Sequence, residues 1–492
     1  MKLSLPNYEP QFRRCLFLII LFSIPAWLTL RFTGVDDPDV WWHLRTGQWI
    51  LQHHWVPYSE SFSTFAMGNP WAAYSWLFEV LIYSLFGWLG LVGLLAYTYA
   101  MVLAITGELH SLVRKFETRL AYSVPLTVLA LLAMAPLYTP RPWLFSILLF
   151  IVELNILIGV RHSRRYRRLL LLPLLFALWA NLHIQFVLGF LVLGAAMCEE
   201  PLGKLLRHRH LDGDQDKALP VFYMTLIALA CVVATLLNPY HFRIYAVVLE
   251  LVRQAGFYNL VSEFGAMNFR TPPDWLVLGL TLGATFALGR QRVVRPFWVL
   301  LLLAAYLISF RSRRDVWVVV VIAVGVISSS RSALLVGSLE TLQKAQIIVI
   351  VAAVGILLFI TARANHISED ALQVAVAKAY PVRAADAVEE GGYAGPLYNH
   401  FDWGGYLVWR LPKLPVSMDG RTNLYNVDRV THSVMVWTGQ PGWASDAQLA
   451  SAGVVIAQRD FALTQLLRLD PRFQLVYEDQ VAVVFISKTK NK

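Results

Sequence analysis

Apolar runs separated by short loops rich in arginine and lysine recur through most of the first 362 residues of this 492-residue chain. Leu16–Leu30, Leu276–Leu288 and Ala345–Ala362 are examples. With their flanks they approach the roughly 20 residues a helix needs to cross a bilayer. Hydrophobic residues make up 57% of the chain and charged residues 15%, against about 25% charged in an ordinary soluble domain. So little charge cannot cover a water-soluble surface of this size, and the lipid bilayer is the first partner the sequence implies.

The net charge of +10 does not point to nucleic acid, because the basic residues sit between the apolar runs rather than along one soluble face. The densest cluster is Arg161-His162-Ser163-Arg164-Arg165-Tyr166-Arg167-Arg168; others are Arg114/Lys115/Arg119, Lys204/Arg207/Arg209/Lys217, Arg290/Arg292/Arg295 and Arg331/Lys344. The positive-inside rule places all of them in the cytoplasm. Arg13 and Arg14 precede the first run, with no small-residue cleavage site after it, which predicts an uncleaved span and a cytoplasmic N-terminus. Cys15, Cys198 and Cys231 lie in or beside apolar runs and suggest no disulfide framework.

Keeping every basic loop inside nearly determines the topology. Trp76–Phe86 is too short to span, so Tyr74–Gly87 is expected to lie at the outer interface. Runs at 16–30, 89–105, 121–138, 143–160, 169–183, 185–198, 218–237, 274–289, 296–310, 315–329 and 345–362 then predict about eleven spans. The expected fold is mainly α: a polytopic membrane helix bundle over residues 1–362, with a large first outer loop at 33–88. Residues 363–492 alternate strand-like runs (Pro415–Met418, Val454–Ala457, Gln474–Tyr477, Val481–Ile486) with helical patterns. They predict a small soluble α/β domain on the outer face.

The unusual polar residues fall mostly on that face. The first loop carries Asp36, Asp37, Asp39, Trp41, Trp42 and His43 within a few positions. A carboxylate pair there can hold a divalent metal, or one member can take a proton from an acceptor hydroxyl while the other tunes it. Trp41 and Trp42 offer stacking surface, and His43 a donor to phosphate; a solvated turn followed by interfacial tryptophans is the plainer alternative. Further candidates are Glu79 on the interfacial helix, Arg141, Asn181, His183, and Glu263 in the loop at 240–273. Arg311, Arg313 and Arg314 stand where the charge rule wants few basic residues, which suggests an anionic partner, phosphate above all; the plainer alternative is that one of them pairs with Asp315 or snorkels to headgroups. Glu153 is mid-span beside Asn155, a functional position by default unless it is neutral and hydrogen-bonded. Asp402–Leu407 and Asp419-Gly420-Arg421 either line a groove or are ordinary turn chemistry.

The string Asp37-Pro38-Asp39-Val40-Trp41-Trp42-His43-Leu44, with Gly47, Pro57, Ser61-Phe62-Ser63, Gly68, Trp71, Trp76-Leu77 and Glu79, resembles the first periplasmic loop of bacterial GT-C-type glycosyltransferase-like membrane proteins. Arg141-Pro142, Trp179-x-Asn181-x-His183, Asn238-Pro239-Tyr240 and Asp402-Trp403-Gly404-Gly405-Tyr406-Leu407 extend the resemblance over nearly the whole chain. Oligosaccharyltransferases, protein O-mannosyltransferases and lipid A aminoarabinose transferases belong to the same superfamily. The resemblance implies transfer of a sugar from a polyprenyl-phosphate-linked donor to a glycan, lipid or protein acceptor, outside a bacterial inner membrane. It implies Asp37 or Asp39 at the reacting centre. Trp41, Trp42, His43, Glu79, Arg141, Asn181, His183, Glu263 and Arg313 are then the candidate substrate residues. A divalent cation, Mg or Mn, is the candidate cofactor, with Asp37 and Asp39 its ligands. Many relatives carry a second acid in the next outer loop, whereas Thr139–Pro142 has none. Two other classes fit parts of the pattern: a transporter or flippase for lipid-linked or anionic solutes, and a non-catalytic envelope-assembly scaffold.

Overall fold

The computed structural model describes residues 11–205, 218–253, 256, 260–261, 263–291, 294–330 and 342–490; Arg207, Arg209, Lys217, Arg292 and Arg331 of the basic loops lie outside them. The chain forms two compact units. One comprises Met1–Phe32, Thr98–Asn238 and Glu263–Ile367; the other Thr33–Tyr97, Pro239–Ser262 and Ser368–Lys492. The long first loop thus folds with the C-terminal segment.

In the first unit the apolar runs are helices, because lipid offers no partner for backbone groups and each segment must pair its own. They are Gln11–Arg31, Leu120–Ala133, Trp143–Ser163, Leu171–Leu182, Val187–Leu205, Val221–Thr235, Pro272–Gly289, Pro296–Arg311, Val316–Ser329 and Lys344–Ala364, with most of Leu91–Arg114. Among the described residues five stretches are long and apolar enough to cross a membrane: Gln11–Arg31, Leu91–Arg114, Trp143–Ser163, Ile184–Leu205 and Lys344–Ala364. This is a multi-pass membrane protein. On Lys344–Ala364, Ile348 is 67% exposed, and Val351 and Phe359 are each 65% exposed. Apolar surface of that extent is a liability in water and ordinary against lipid. Val316–Ser329 is the opposite case. It is rich in β-branched residues, which favour strands, yet it is helical and almost wholly buried. Gly325 lets the Trp298 ring close on it; a Cβ there would lie 2.7 Å from the ring.

The second unit contains a four-stranded sheet of β1 (Leu397–Asn399), β2 (Val454–Gln458), β3 (Phe473–Glu478) and β4 (Ala482–Ser487). The order is β1-β2-β4-β3, with β1 parallel to β2 and the other pairs antiparallel. Three of the expected strands are present. Pro415–Met418 is not a strand of this sheet. Its backbone pairs instead with the first loop: Val416 donates to the Phe62 carbonyl and accepts from Thr64, and Ser417 accepts from Phe65.

A buried ion cluster lies beside that pairing. The Arg421 guanidinium donates to both Glu60 oxygens, from Nη1 at 2.5 Å and Nη2 at 3.0 Å. It also donates to both Asp419 oxygens, from Nε at 2.9 Å and Nη2 at 2.6 Å. Glu60, Asp419 and Arg421 are at most 2% exposed. Phe62 and Trp71 place their rings 5.1 and 4.6 Å from the guanidinium carbon. The backbone amides of Phe62 and Ser63 supply further donors to Glu60. Burial alone would lower the Arg421 pKa, but Asp419 and Glu60 outweigh it and hold the group above its ordinary value.

Two first-loop helices, Asp39–His53 and Trp76–Leu89, pack so closely that a Cβ on Gly47 would stand 2.0 Å from the Glu79 carbonyl oxygen. The Glu79 side chain, 1% exposed, is sealed there with Oε1 3.2 Å from His43 Nδ1. Burial pushes its pKa well above the ordinary 4.5, against a smaller opposing pull from Arg421.

Arg421→Ala leaves two carboxylates buried without their cation, and is expected to destabilise this unit by about 3–5 kcal/mol. Thermal unfolding in detergent measures it, and adding Glu60→Gln with Asp419→Asn should recover part of the loss. For Glu79, a folded-state pKa above the unfolded one gives stability that is complete below about 4.5 and lost as pH rises through the folded value. The melting temperature of the wild type should therefore fall relative to that of Glu79→Gln between acid and neutral pH. Parallel curves would mean that Glu79 titrates alike in both states.

Candidate functional site

In the second unit, Gly34–Pro38 turns into the Asp39–His53 helix. The Asp37 amide donates to the Gly34 carbonyl, and Asp37 Oδ1 accepts from the Asp39 amide at 3.1 Å. Asp37 is 8% exposed and Asp39 half-buried. Asp39 stands in the first helical turn, where the helix dipole favours a carboxylate. Its Oδ1 lies 2.1 Å from where a Cβ on Gly420 would be, so only glycine at 420 leaves this carboxylate its position. Trp42 Nε1 is 3.8 Å from the same point, is buried, and makes no hydrogen bond. Asp419 and Arg421, on either side of Gly420, turn inward to the ion cluster.

The expected stacking tryptophans are largely occupied by the protein. Trp41, 3% exposed, packs edge-on against Tyr380 and Tyr406 at 5.6 and 5.1 Å between ring centroids. Trp42 lies against His43 at 3.5 Å. His43 and Glu79 face each other in the helix interface rather than an open surface. The Tyr380 hydroxyl donates to the Asp36 carbonyl at 2.7 Å. Burial first, then the charge of Asp37, raises the Tyr380 pKa and keeps that donor protonated.

In the first unit, Arg141 is held by Glu263 through two bonds, Nη2–Oε1 at 2.7 Å and Nη1–Oε2 at 3.1 Å. A carboxylate therefore does reach the Thr139–Pro142 loop, from a later segment. Asn181 donates to the Ala177 and Leu237 carbonyls at 2.8 and 3.0 Å, tying its helix end to the next. His183 leaves helical geometry (φ −160°, ψ 143°) between Leu171–Leu182 and the turn Ile184–Phe186. Its Nδ1 is 2.8 Å from Ser146 Oγ, which also accepts from Trp179 Nε1 at 2.8 Å.

The turn Arg313–Asp315 is pinned through its backbone: the amides of Arg313 and Arg314 donate to the Gly265 and Glu263 carbonyls. Asp315 Oδ1 takes a bond from Gln185 Nε2 at 2.6 Å. The Arg314 guanidinium sits over Phe264, with its Nε buried and without a hydrogen bond. Arg313 is half-buried, and its side chain has no partner among the described residues.

Asp37, Asp39, Trp41, Trp42, His43 and Glu79 thus gather in one unit, and Arg141, Asn181, His183, Glu263 and Arg313 in the other. Sequence reasoning missed Ser146, Gln185 and the Glu60 pairing; none stands in a string with a spacing of its own, whereas Trp179 and Gly420 were already inside singled-out strings. Among the described residues no three or more His, Cys, Asp or Glu side chains are grouped to hold a metal, and Asp37 already accepts from the backbone.

No protein-family model and no curated protein matches the chain. Solved structures do. The apo oligosaccharyltransferase of Archaeoglobus fulgidus aligns over 90% of this chain and 69% of its own, with TM-score 0.52 and 10% identity. ArnT from Cupriavidus metallidurans aligns over 97% of this chain and 98% of its own, with TM-score 0.46 and 14% identity when bound to undecaprenyl phosphate. Its apo state gives TM-score 0.42 and 15% identity over the same shares. The first alignment characterises the backbone: the chain shares the fold of that oligosaccharyltransferase.

Proposed function

We propose that this protein is a membrane glycosyltransferase that moves a sugar from a polyprenyl-phosphate-linked donor to an envelope acceptor on the non-cytoplasmic face. The observation that carries the reading is the turn Arg313–Asp315. A half-buried Arg313 guanidinium with no protein partner among the described residues, beside an Arg314 Nε that makes no hydrogen bond and meets Asp315 Oδ1 only at 3.9 Å, is costly unless an anion completes it. Arg141 is the weaker candidate for the phosphate, since Glu263 already neutralises it. The charge rule, which puts the basic loops inside, supports the outer location of this turn and of residues 33–88 and 363–492.

In the reaction, Asp39 or Asp37 takes the proton of the acceptor hydroxyl. The acceptor oxygen forms its bond to the anomeric carbon as the bond from that carbon to the phosphate oxygen breaks. The electron pair leaves with the lipid phosphate, whose developing charge calls for a preorganised electrostatic contribution. Asp39 is the better placed of the two, because it is half-buried where Asp37 is buried, and it overlies Gly420 beside a Trp42 indole N–H that makes no hydrogen bond.

The transport alternative has Glu153 in its favour, fully buried within Trp143–Ser163 with both oxygens unpaired. A transporter would move a lipid-linked sugar across vesicles without an acceptor, whereas a transferase needs one.

Transfer from a radiolabelled polyprenyl-phosphate sugar by the purified protein in nanodiscs, with envelope extract as acceptor, tests the assignment. Asp39→Asn should lower turnover by roughly 10²–10⁴-fold with its melting temperature retained. Full transfer by both Asp37→Asn and Asp39→Asn sinks the carboxylate role. Gly420→Ala should also slow transfer, because the added methyl forces the Asp39 carboxylate to rotate. Arg313→Ala should weaken binding of the lipid phosphate about tenfold or more.

A further inference from the structure

Ser146 is fully buried in the Trp143–Ser163 helix, and its hydroxyl has two partners, Trp179 and His183. An indole N–H only donates, so Trp179 occupies a lone pair of Ser146 Oγ. The hydroxyl proton of Ser146 then has one acceptor within reach, His183 Nδ1 at 2.8 Å. Were His183 to donate from Nδ1 instead, Ser146 would receive two hydrogen bonds and its own proton would be buried without a partner. An unmet buried donor costs about 1–3 kcal/mol, enough to decide the tautomer.

We infer that Trp179 and Ser146 are positioning residues that hold His183 as a neutral imidazole with its proton on Nε2, a fixed hydrogen-bond donor for the donor lipid's phosphate. The inference rests on the transferase reading for its ligand and on geometry alone for the tautomer. Nε2 makes no hydrogen bond to the described protein. A neutral Nε2–H donor complements Arg313: the arginine supplies charge, the histidine direction. The same arrangement removes His183 from the list of bases. Nδ1 is closed by Ser146 and Nε2 already carries a proton, so deprotonating the acceptor is left to the first-loop carboxylates.

The test uses full-length protein in nanodiscs labelled with ¹⁵N-histidine, the His183 signals being identified by their loss in His183→Gln. The expected spectrum shows a protonated Nε2 and a bare, hydrogen-bonded Nδ1. Ser146→Ala should mix the tautomers and weaken binding of decaprenyl phosphate about threefold to tenfold, and Ser146→Thr should restore both. Trp179→Phe should leave the tautomer biased but the Nδ1 signal shifted. A protonated Nδ1 or an imidazolium in the wild type overturns the inference, as does a Ser146→Ala spectrum identical to it. A wild type with the expected spectrum that binds no decaprenyl phosphate overturns the ligand, and with it the transferase reading, while the tautomer assignment stands.

Discussion

The second unit depends on one guanidinium. Arg421 is shared between Asp419, two residues away, and Glu60, 361 residues away in sequence. Two carboxylates and one cation leave a net negative charge in a place almost without water. The backbone amides of Phe62, Ser63 and Arg421 complete the neutralisation. Removing any one partner is worse than never having buried the group. The cluster therefore specifies how the first loop meets the segment around Val416, as buried polar groups do when each is satisfied. It also orients the Asp419-Gly420-Arg421 turn: with both flanking side chains drawn inward, Gly420 is left as bare backbone under the Asp39 carboxylate.

The helical part of the fold was legible because lipid enforces it. An apolar run bounded by arginines has one backbone solution, so each expected run from 16–30 to 345–362 contains a helix, though among the described residues five stretches are long and apolar enough to cross a membrane. Even the division of 169–198 at His183 is present. The short helix at Trp76–Leu89 was likewise read from its length. The second unit was less legible. Leu397–Asn399 is a three-residue strand with no alternation to announce it. Pro415–Met418 looks like a strand, but its ladder partner is the first loop, with a backbone bond from Leu397 of β1 to the Pro415 carbonyl on the other side.

For the site, residue types were informative and partners were not. Asp39, His183 and Arg313 stand out in the sequence because charge and hydrogen-bonding capacity at the ends of apolar runs are costly. That Arg141 is already satisfied by Glu263, that Trp41 spends its ring on Tyr380 and Tyr406, and that Glu79 faces His43 are all pairings across long sequence separations. No spacing rule reaches that far. Gly420 shows the same asymmetry. Its presence in a turn is unremarkable, and its role emerges only when the Asp39 carboxylate is found where a methyl group would be.

The Glu60–Arg421 pair also sets an order of events during synthesis. Glu60 leaves the ribosome 361 residues before the cation that completes it. At elongation rates of about 5–20 residues per second, that interval is roughly 20–70 seconds. For all of it the loop after the first span must keep a carboxylate hydrated that the finished protein holds dry. A loop made early is thus completed late, and a chain cut short before Arg421 would leave that loop waiting for a counter-ion that never arrives.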